Sequence, residues 1–229
     1  MALDPGHGGA QPGVPRPGRT DEKDLNLALA RVLRDRLEAT GRYRVVMTRD
    51  SDRTLDLNER VRIARDARAE LFLSIHADSA PQSYLRGASV YTLAASAESR
   101  VLNETLAEDP RIFDIDLTTR GEDVAGIMVD LTRNDARYQS EVFARTLVAE
   151  LGAASMPLLG NTLREKNLGM LLVPDMPAAL LEAGFLTNSQ DEELLNSPRH
   201  RERLADALVK GIDSYFVRRE RLYAENGSR

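Results

Sequence analysis

The sequence contains no cysteine, so it has no disulfide, no thiolate metal ligand and no thiol nucleophile. Histidine, aspartate and glutamate are therefore the side chains left for a metal site. The sequence also lacks a run of about 18 apolar residues and a positively charged start followed by an apolar stretch. We expect a soluble protein without membrane insertion, in which any export signal is absent from these residues. Because the first predicted strand begins almost at Met1, we expect the natural N-terminus to lie upstream.

Clustered positive charge is missing as well. The 229 residues include 31 Lys and Arg and 36 Asp and Glu, which gives a formal net charge of −5 and an isoelectric point near 5.4. Nucleic-acid binding depends on clustered Lys and Arg that displace counterions, so this balance argues against a nucleic-acid partner. Residues 96–141 include eleven acidic and five basic residues, a balance of −6, and the rest of the chain therefore sums to +1. We interpret this acidic segment as a helical insert over residues 94–141.

Apolar periodicity alternates between strand and helix along the chain. Asp21 is suited to cap a helix that continues to Gly41, and Pro198 is suited to the first position of a closing helix that ends near Phe216. Further strands are predicted at 43–48, 71–75, 87–93, 169–173 and 178–182, and further helices at 57–67 and 135–151. This alternation, without a linker or an internal repeat, predicts one α/β domain over residues 1–229. Its central sheet is expected to be mostly parallel, with helices on both faces.

Only three histidines are present, and two of them follow short apolar runs typical of buried strands. His7 follows the run that begins at Ala2, and His76 ends the segment 71–76. Ligands of an open parallel sheet bind at the carboxyl edge of its strands, where we expect both imidazoles. For His76 alone, a core histidine bonded to a backbone carbonyl is the alternative. The third histidine, His200, lies among arginines and is predicted to be on the surface.

Glu22 is predicted to lie on the buried face of the first helix, three and seven residues before Leu25 and Leu29. An ionised carboxylate buried without a partner costs roughly several kcal/mol, so Glu22 needs a partner, a proton or a cation. The alternative is a charge that merely favours the helix N-terminus. Two imidazoles and one carboxylate with an open fourth position form a catalytic zinc arrangement. A phosphate-cradling loop at residues 6–9 is the other alternative, although the lysine and spacing of a P-loop are missing.

Glu182 ends an otherwise apolar strand and is followed by Ala183 and Gly184. A buried salt bridge is one explanation for a carboxylate at this position. If a metal ion is bound at the same sheet edge, Glu182 is placed to accept a proton from a water molecule and pass it to a leaving nitrogen.

Four sequence blocks occur in a defined order along the chain: residues 4–9 (Asp-Pro-Gly-His-Gly-Gly), Glu22, residues 74–78 (Ser-Ile-His-Ala-Asp) and residues 181–188 (Leu-Glu-Ala-Gly-Phe-Leu-Thr-Asn). Together they resemble the zinc-dependent N-acetylmuramoyl-L-alanine amidases of the AmiA/AmiB/AmiC type over nearly the whole chain. The resemblance implies that His7, Glu22 and His76 bind one Zn²⁺ ion and that Glu182 is the catalytic glutamate. It implies hydrolysis of the amide bond between N-acetylmuramic acid and L-alanine in peptidoglycan, during cell-wall remodelling and daughter-cell separation. Such a substrate implies a periplasmic location.

Two other classes of protein remain open on the residues themselves. One is a wall-binding module with a structural zinc ion, and the other is an unrelated metallohydrolase such as a peptidase. A structural zinc would be closed by a fourth protein ligand and would not need a free carboxylate at Glu182. The peptidase alternative lacks a His-Glu-x-x-His helix.

The acidic insert resembles the regulatory segment of AmiB/AmiC-like members, in which a helix covers the active site until an activator of the LytM type displaces it. Val124, Ile127, Met128 and Leu131 form a narrow apolar stripe at helical spacing, which an ordinary core-packing helix would also show. By the resemblance, Glu122 or Asp123 is placed to block the open zinc position. Arg164 and Asn167 are predicted to line the substrate groove.

Overall fold

Six strands form the central sheet of the computed structural model, which describes residues 1–16, 18–94, 111–112, 115–116, 122–171, 173 and 175–226. In pairing order they are β2 (Val46–Met47), β1 (Ala2–Pro5), β3 (Phe72–Asp78), β8 (Ala178–Phe185), β4 (Ala88–Leu93) and β7 (Leu158–Lys166). Every neighbouring pair is parallel except β8 with β4. The short strands β5 (Arg111–Ile112) and β6 (Ile115–Asp116) pair with each other in a separate antiparallel ribbon.

Helices cover both faces of this sheet. The described residues form five α-helices, which are α1 (Glu22–Ala39), α2 (Leu57–Asp66), α3 (Glu122–Ala153), α4 (Ser189–Asn196) and α5 (Pro198–Asn226). Helices α1, α3 and α5 share one hydrophobic core with one face of the sheet, whereas α2 and a 3₁₀ turn at Gly169–Leu171 pack on the other face. The arrangement confirms the predicted α/β class, with a mostly parallel sheet and helices on both faces.

The larger core explains why α1 and α5 form where the apolar periodicity predicted them. Fully buried side chains recur at helical spacing on the three helices of this face, and they include Leu29, Leu33, Leu37, Phe143, Leu147, Leu208, Ile212 and Tyr215. Each such side chain contributes roughly 1.5–3 kcal/mol relative to exposure to water. This packing fixes α1 against the sheet, and the first residue of α1 is Glu22.

Strand register brings the carboxyl ends of three strands together. Pro5 of β1 pairs with Ile75 of β3, so the chain leaves β1 beside the end of β3. His76 of β3 pairs with Glu182 of β8. Parallel neighbours in register present these side chains on the same face of the sheet. The sheet therefore places the segment after β1, His76 and Glu182 at one edge.

Several predicted element boundaries were wrong. A strand was predicted at 169–173, but Gly169–Leu171 form a 3₁₀ turn. The edge strand β7 was missed because its sequence has no clean apolar alternation, and most of its residues are partly or fully exposed. Helix α3 begins at Glu122 instead of near 135. The 3₁₀ turn packs against α2 and β7 pairs with β4, and local periodicity does not report such contacts with distant segments.

The prediction that His200 lies on the surface is also wrong. His200 is 7% exposed and lines a small cavity with Asp191, Leu195 and Leu204. Burial lowers its pKa, and the positive charge of Arg203 adds to this effect. The neighbouring arginines indicated a solvated position, but α5 turns this residue towards α4.

The prediction of an insert over residues 94–141 falls largely outside the described residues, because 95–110, 113–114 and 117–121 are not among them. The end of this segment is the first part of α3. Ile127 and Leu131 are 61% and 65% exposed, so core packing does not explain their part of the apolar stripe. Among the described residues, no helix has the length and apolar character that a membrane crossing needs.

Candidate metal centre

The turn after β1 carries His7 to the carboxyl edge of the sheet. The φ angle of His7 is +62°, a left-handed conformation that residues other than glycine rarely adopt. The preceding residue, Gly6, lies against His76. A Cβ atom at Gly6 would approach the ring atoms of His76 to 2.2 Å, so only glycine lets the turn pass this close to the second imidazole.

A single carboxylate oxygen of Glu22 contacts both imidazoles. Its Oε1 lies 3.1 Å from Nε2 of His7 and 3.1 Å from Nδ1 of His76. The side-chain amide of Asn26 and the backbone N–H of Ala77 donate to the same oxygen at 3.2 and 3.3 Å. Glu22 is only 3% exposed, which confirms its predicted place on the buried face of α1.

The surroundings of Glu22 favour its ionised form. Burial by itself raises the pKa of this carboxyl group, but hydrogen bonds with His7 and His76 outweigh burial and hold the pKa well below its usual range. The backbone N–H of Val14 donates to Oε2 at 2.9 Å. A Cβ at Gly13 would lie 2.3 Å from the same oxygen, so the loop before α1 is packed directly on the carboxylate.

These three side chains fit a zinc ion. One candidate ligand atom from each of His7, Glu22 and His76 lies within 4.8 Å of the other two. A tetrahedral zinc ion with ligands at about 2.0–2.1 Å would separate those ligand atoms by about 3.3–3.4 Å. The two nitrogen–oxygen distances of 3.1 Å are close to this separation. Imidazole nitrogen and carboxylate oxygen are also donor types that zinc binds.

Glu182 lies in the interior of β8, rather than at its end as the sequence indicated. Its Oε2 is buried and makes no hydrogen bond, and no ion pair of Glu182 occurs within the described part of the chain. The salt-bridge explanation therefore has no support there. Burial, followed by the negative charges of Asp78 and Glu22, raises the pKa of Glu182 well above its usual value. A carboxyl group in this environment is suited to proton transfer.

Asn26 is a site residue that the sequence analysis missed. It is 2% exposed and donates both to Glu22 Oε1 and, at 3.3 Å, to the carbonyl oxygen of Gly6. It lies four residues after Glu22, on the same face of α1. A polar residue at this spacing inside an apolar stripe was the signal that could have found it.

The order of the motifs along the chain and the geometry of the site both lead to one family. The family model described as N-acetylmuramoyl-L-alanine amidase matches residues 1–214. The chain belongs to this family. A relative in Neisseria meningitidis serogroup B, the N-acetylmuramoyl-L-alanine amidase AmiC, is 35% identical over 220 residues, which are 94% of this chain and 52% of the relative. The chain thus spans about half the length of the first curated relatives that it matches.

Solved structures of amidase catalytic domains have the same fold. The catalytic domain of CwlV, an amidase from Bacillus (Paenibacillus) polymyxa var. colistinus, matches with a TM-score of 0.68 at 25% identity, covering 94% of this chain and 96% of that one. An amidase from Clostridium difficile 630 matches with a TM-score of 0.70 at 23% identity, covering 94% and 95%. The second likeness concerns the fold alone.

The residues predicted to line the substrate groove of this amidase-family chain lie at one end of β7. Arg164 pairs with Tyr91 of β4, donates to its hydroxyl group at 2.6 Å and lies over its ring at 5.1 Å. Tyr91 also pairs with Leu180 of β8, two residues before Glu182, so the register places Arg164 and Glu182 on the same face of the sheet. Asn167 is exposed and follows the last residue of β7.

For the two residues predicted to block the zinc position, the structure describes the backbone alone. Glu122 and Asp123 are the first residues of α3 by their backbone. Their side chains lie outside the described residues, so the predicted contact with the metal centre stays a prediction.

Proposed function

We propose that this chain hydrolyses the amide bond between N-acetylmuramic acid and L-alanine in peptidoglycan, using one Zn²⁺ ion held by His7, Glu22 and His76. The observation that carries the proposal is the convergence of these three side chains at the sheet edge where β8 presents Glu182. Family membership and the shared fold support the same reaction.

Zinc, when bound, acts as a Lewis acid on the substrate carbonyl and lowers the pKa of water. The chain itself supplies the proton transfer. In our proposal Glu182 accepts a proton from the attacking water molecule and delivers it to the amide nitrogen as the carbon–nitrogen bond breaks. The products are the free lactyl carboxyl group and the amino group of L-alanine. The buried, unpartnered Oε2 of Glu182 is suited to this exchange because no ion pair among the described residues competes for it.

Two observations weigh against the alternative functions. Among the described residues, the group that can hold a metal contains three ligands rather than the four of a closed structural site. The family match favours cleavage at the sugar–peptide bond over cleavage within the stem peptide.

Purified peptidoglycan labelled with a dye tests the proposal. We expect the chain to release dye, and we expect removal of the metal by a chelator to lower the rate at least about 100-fold, because the Lewis acid contributes several kcal/mol. Added zinc should restore the rate. Mass spectrometry of the products should show intact stem peptides with free L-alanine amino groups. Cleavage between stem-peptide residues would instead identify a peptidase, and zinc binding without any dye release would identify a binding module.

We further propose that the chain acts in daughter-cell separation, in the periplasm, under control of its acidic insert. The support is the resemblance to AmiB/AmiC-like proteins and the exposed Ile127 and Leu131 near the start of α3. In this proposal the segment before and including the start of α3 covers the metal centre. A LytM-type activator protein then binds the apolar stripe and draws the segment away.

Deletion of residues 107–132 tests this control. We expect higher basal dye release than in the full chain, because the segment that covers the site is gone. The double variant Ile127→Ser and Leu131→Ser is the matched control: both side chains are exposed, so basal activity should stay unchanged while stimulation by a LytM-type activator is lost. Unchanged or lower activity of a deletion variant that still folds would contradict the proposal.

A further inference from the structure

Two buried arginines hold the backbone that presents His7. Arg49 donates from Nε to the carbonyl oxygen of Pro5 at 2.8 Å and from Nη2 to that of Gly6 at 2.9 Å. Arg60 donates from Nη1 to Pro5 at 3.0 Å and from Nη2 to the carbonyl oxygen of His7 at 2.7 Å. Three consecutive carbonyl groups therefore point into two guanidinium groups.

Burying two guanidinium groups costs free energy unless ion pairs or hydrogen bonds compensate. Arg49 and Arg60 are 1% and 2% exposed. Arg60 forms an ion pair with Asp4 at 2.7 Å, whereas no ion pair of Arg49 occurs in the described part of the chain. The donors of Arg49 instead reach backbone carbonyls, including that of Lys23 at 2.8 Å. A buried cation that binds only carbonyls stabilises the conformation of the backbone it contacts.

The turn at residues 5–7 needs such support. His7 adopts a left-handed backbone conformation that is unfavourable for a residue with a Cβ atom. Without fixed carbonyls, the peptide groups on either side of His7 could rotate and carry the imidazole away from Glu22. The guanidinium fork of arginine can hold two acceptors at once, which the single ammonium group of lysine does not reproduce.

We propose that Arg49 and Arg60 are positioning residues that set the metal affinity of the site by fixing the carbonyl groups of residues 5–7. The proposal rests on the proposed function, because it requires that His7 binds zinc. The hydrogen bonds of both guanidinium groups to this turn reach backbone carbonyls, so in this proposal both arginines act through the backbone of His7. Mutation of a residue that orients a metal ligand without binding the metal typically lowers metal affinity by about 10–100-fold.

Lysine substitutions test this proposal in the full chain. Arg60→Lys keeps a cation beside Asp4 but removes the second nitrogen, which donates to the carbonyl oxygen of His7. Arg49→Lys breaks no ion pair in the described part of the chain, so its effect comes from the hydrogen bonds to the carbonyl groups. Arg65→Lys is the matched control, because Arg65 lies on the same helix and contacts Asp175 through Nε and Nη2 at 3.1 and 3.0 Å, away from the turn. The affinity for zinc is measured by competition with a chromophoric chelator, and the cobalt(II) absorption spectrum reports the ligand geometry.

We expect Arg49→Lys and Arg60→Lys each to weaken zinc binding about 10–100-fold and to change the cobalt spectrum, with Arg65→Lys unchanged in both. At saturating zinc the two variants should recover most of the wild-type kcat, because both arginines are buried and out of reach of a substrate that approaches from solvent. Wild-type zinc affinity in both variants would overturn the proposal. Failure of both to fold would also overturn it, in favour of a purely structural role. If the wild-type chain itself binds no zinc, the proposed function fails, and this result is distinct from either outcome.

Discussion

Glu182→Gln is expected to lower kcat on peptidoglycan by about 10²–10⁴-fold while the zinc content stays at the wild-type level. The amide has nearly the same size and shape as the carboxyl group, but it cannot accept the proton of the attacking water molecule. Dye-release kinetics measure the loss, and metal analysis of the purified variant measures zinc. Glu165→Gln is the matched control, because it makes the same carboxyl-to-amide change at an exposed position of β7.

The same variant has an expected effect on stability. The raised pKa of Glu182 means that the folded apoprotein binds this proton more tightly than the unfolded chain does. The contribution of Glu182 to the free energy of unfolding is therefore fully present at low pH. It is lost as the pH rises from the ordinary glutamate value through the raised value. Glu182→Gln should remove this pH-dependent decrease in the free energy of unfolding of the apoprotein.

For the catalytic role, near wild-type activity of Glu182→Gln, or loss of zinc together with activity, would contradict the assignment of Glu182.

Glu22→Gln is expected to abolish stable zinc binding and, with it, hydrolysis. Two imidazoles alone hold zinc poorly. The loss of affinity should therefore exceed the roughly 10–100-fold change that is typical of residues outside the ligand set. Metal content after dialysis and dye release with excess zinc are the measurements. We expect the activity to remain low even with excess zinc, because the amide oxygen is a weak ligand.

Asp24→Asn separates this role from an effect on the helix. Asp24 lies in the same first turn of α1 as Glu22, but it is exposed. If Glu22 served only the helix dipole, the two variants would behave alike, each losing about 0.3–1 kcal/mol of stability and keeping zinc. Equal zinc content in Glu22→Gln and Asp24→Asn would therefore exclude Glu22 as a ligand.

The site was more predictable than the fold boundaries. Periodicity predicted that His76 lies at the end of a buried strand and that Glu22 lies on the buried face of α1. The resemblance to the amidase family then implied that the two side chains meet. Strand β7 and the 3₁₀ turn at Gly169–Leu171 were missed or misassigned. Strand β7 forms because it pairs with β4, and the local sequence of an exposed edge strand does not predict that pairing. His200 was misplaced for a related reason, since a run of charged neighbours does not reveal which side of α5 faces α4.

The sequence by itself determined the α/β class, the order of the four motif blocks and the donor types available for a metal ion. The class follows from apolar periodicities of 2 and 3.6 residues, and the donor types follow from the absence of cysteine. Only the tertiary structure decided that one oxygen of Glu22 contacts both imidazoles, and that Arg49 and Arg60 hold the turn at His7. These contacts join residues 15 to 54 positions apart in the chain. Side-chain direction and backbone rotation set such distances, and both depend on how the whole sheet and its helices pack.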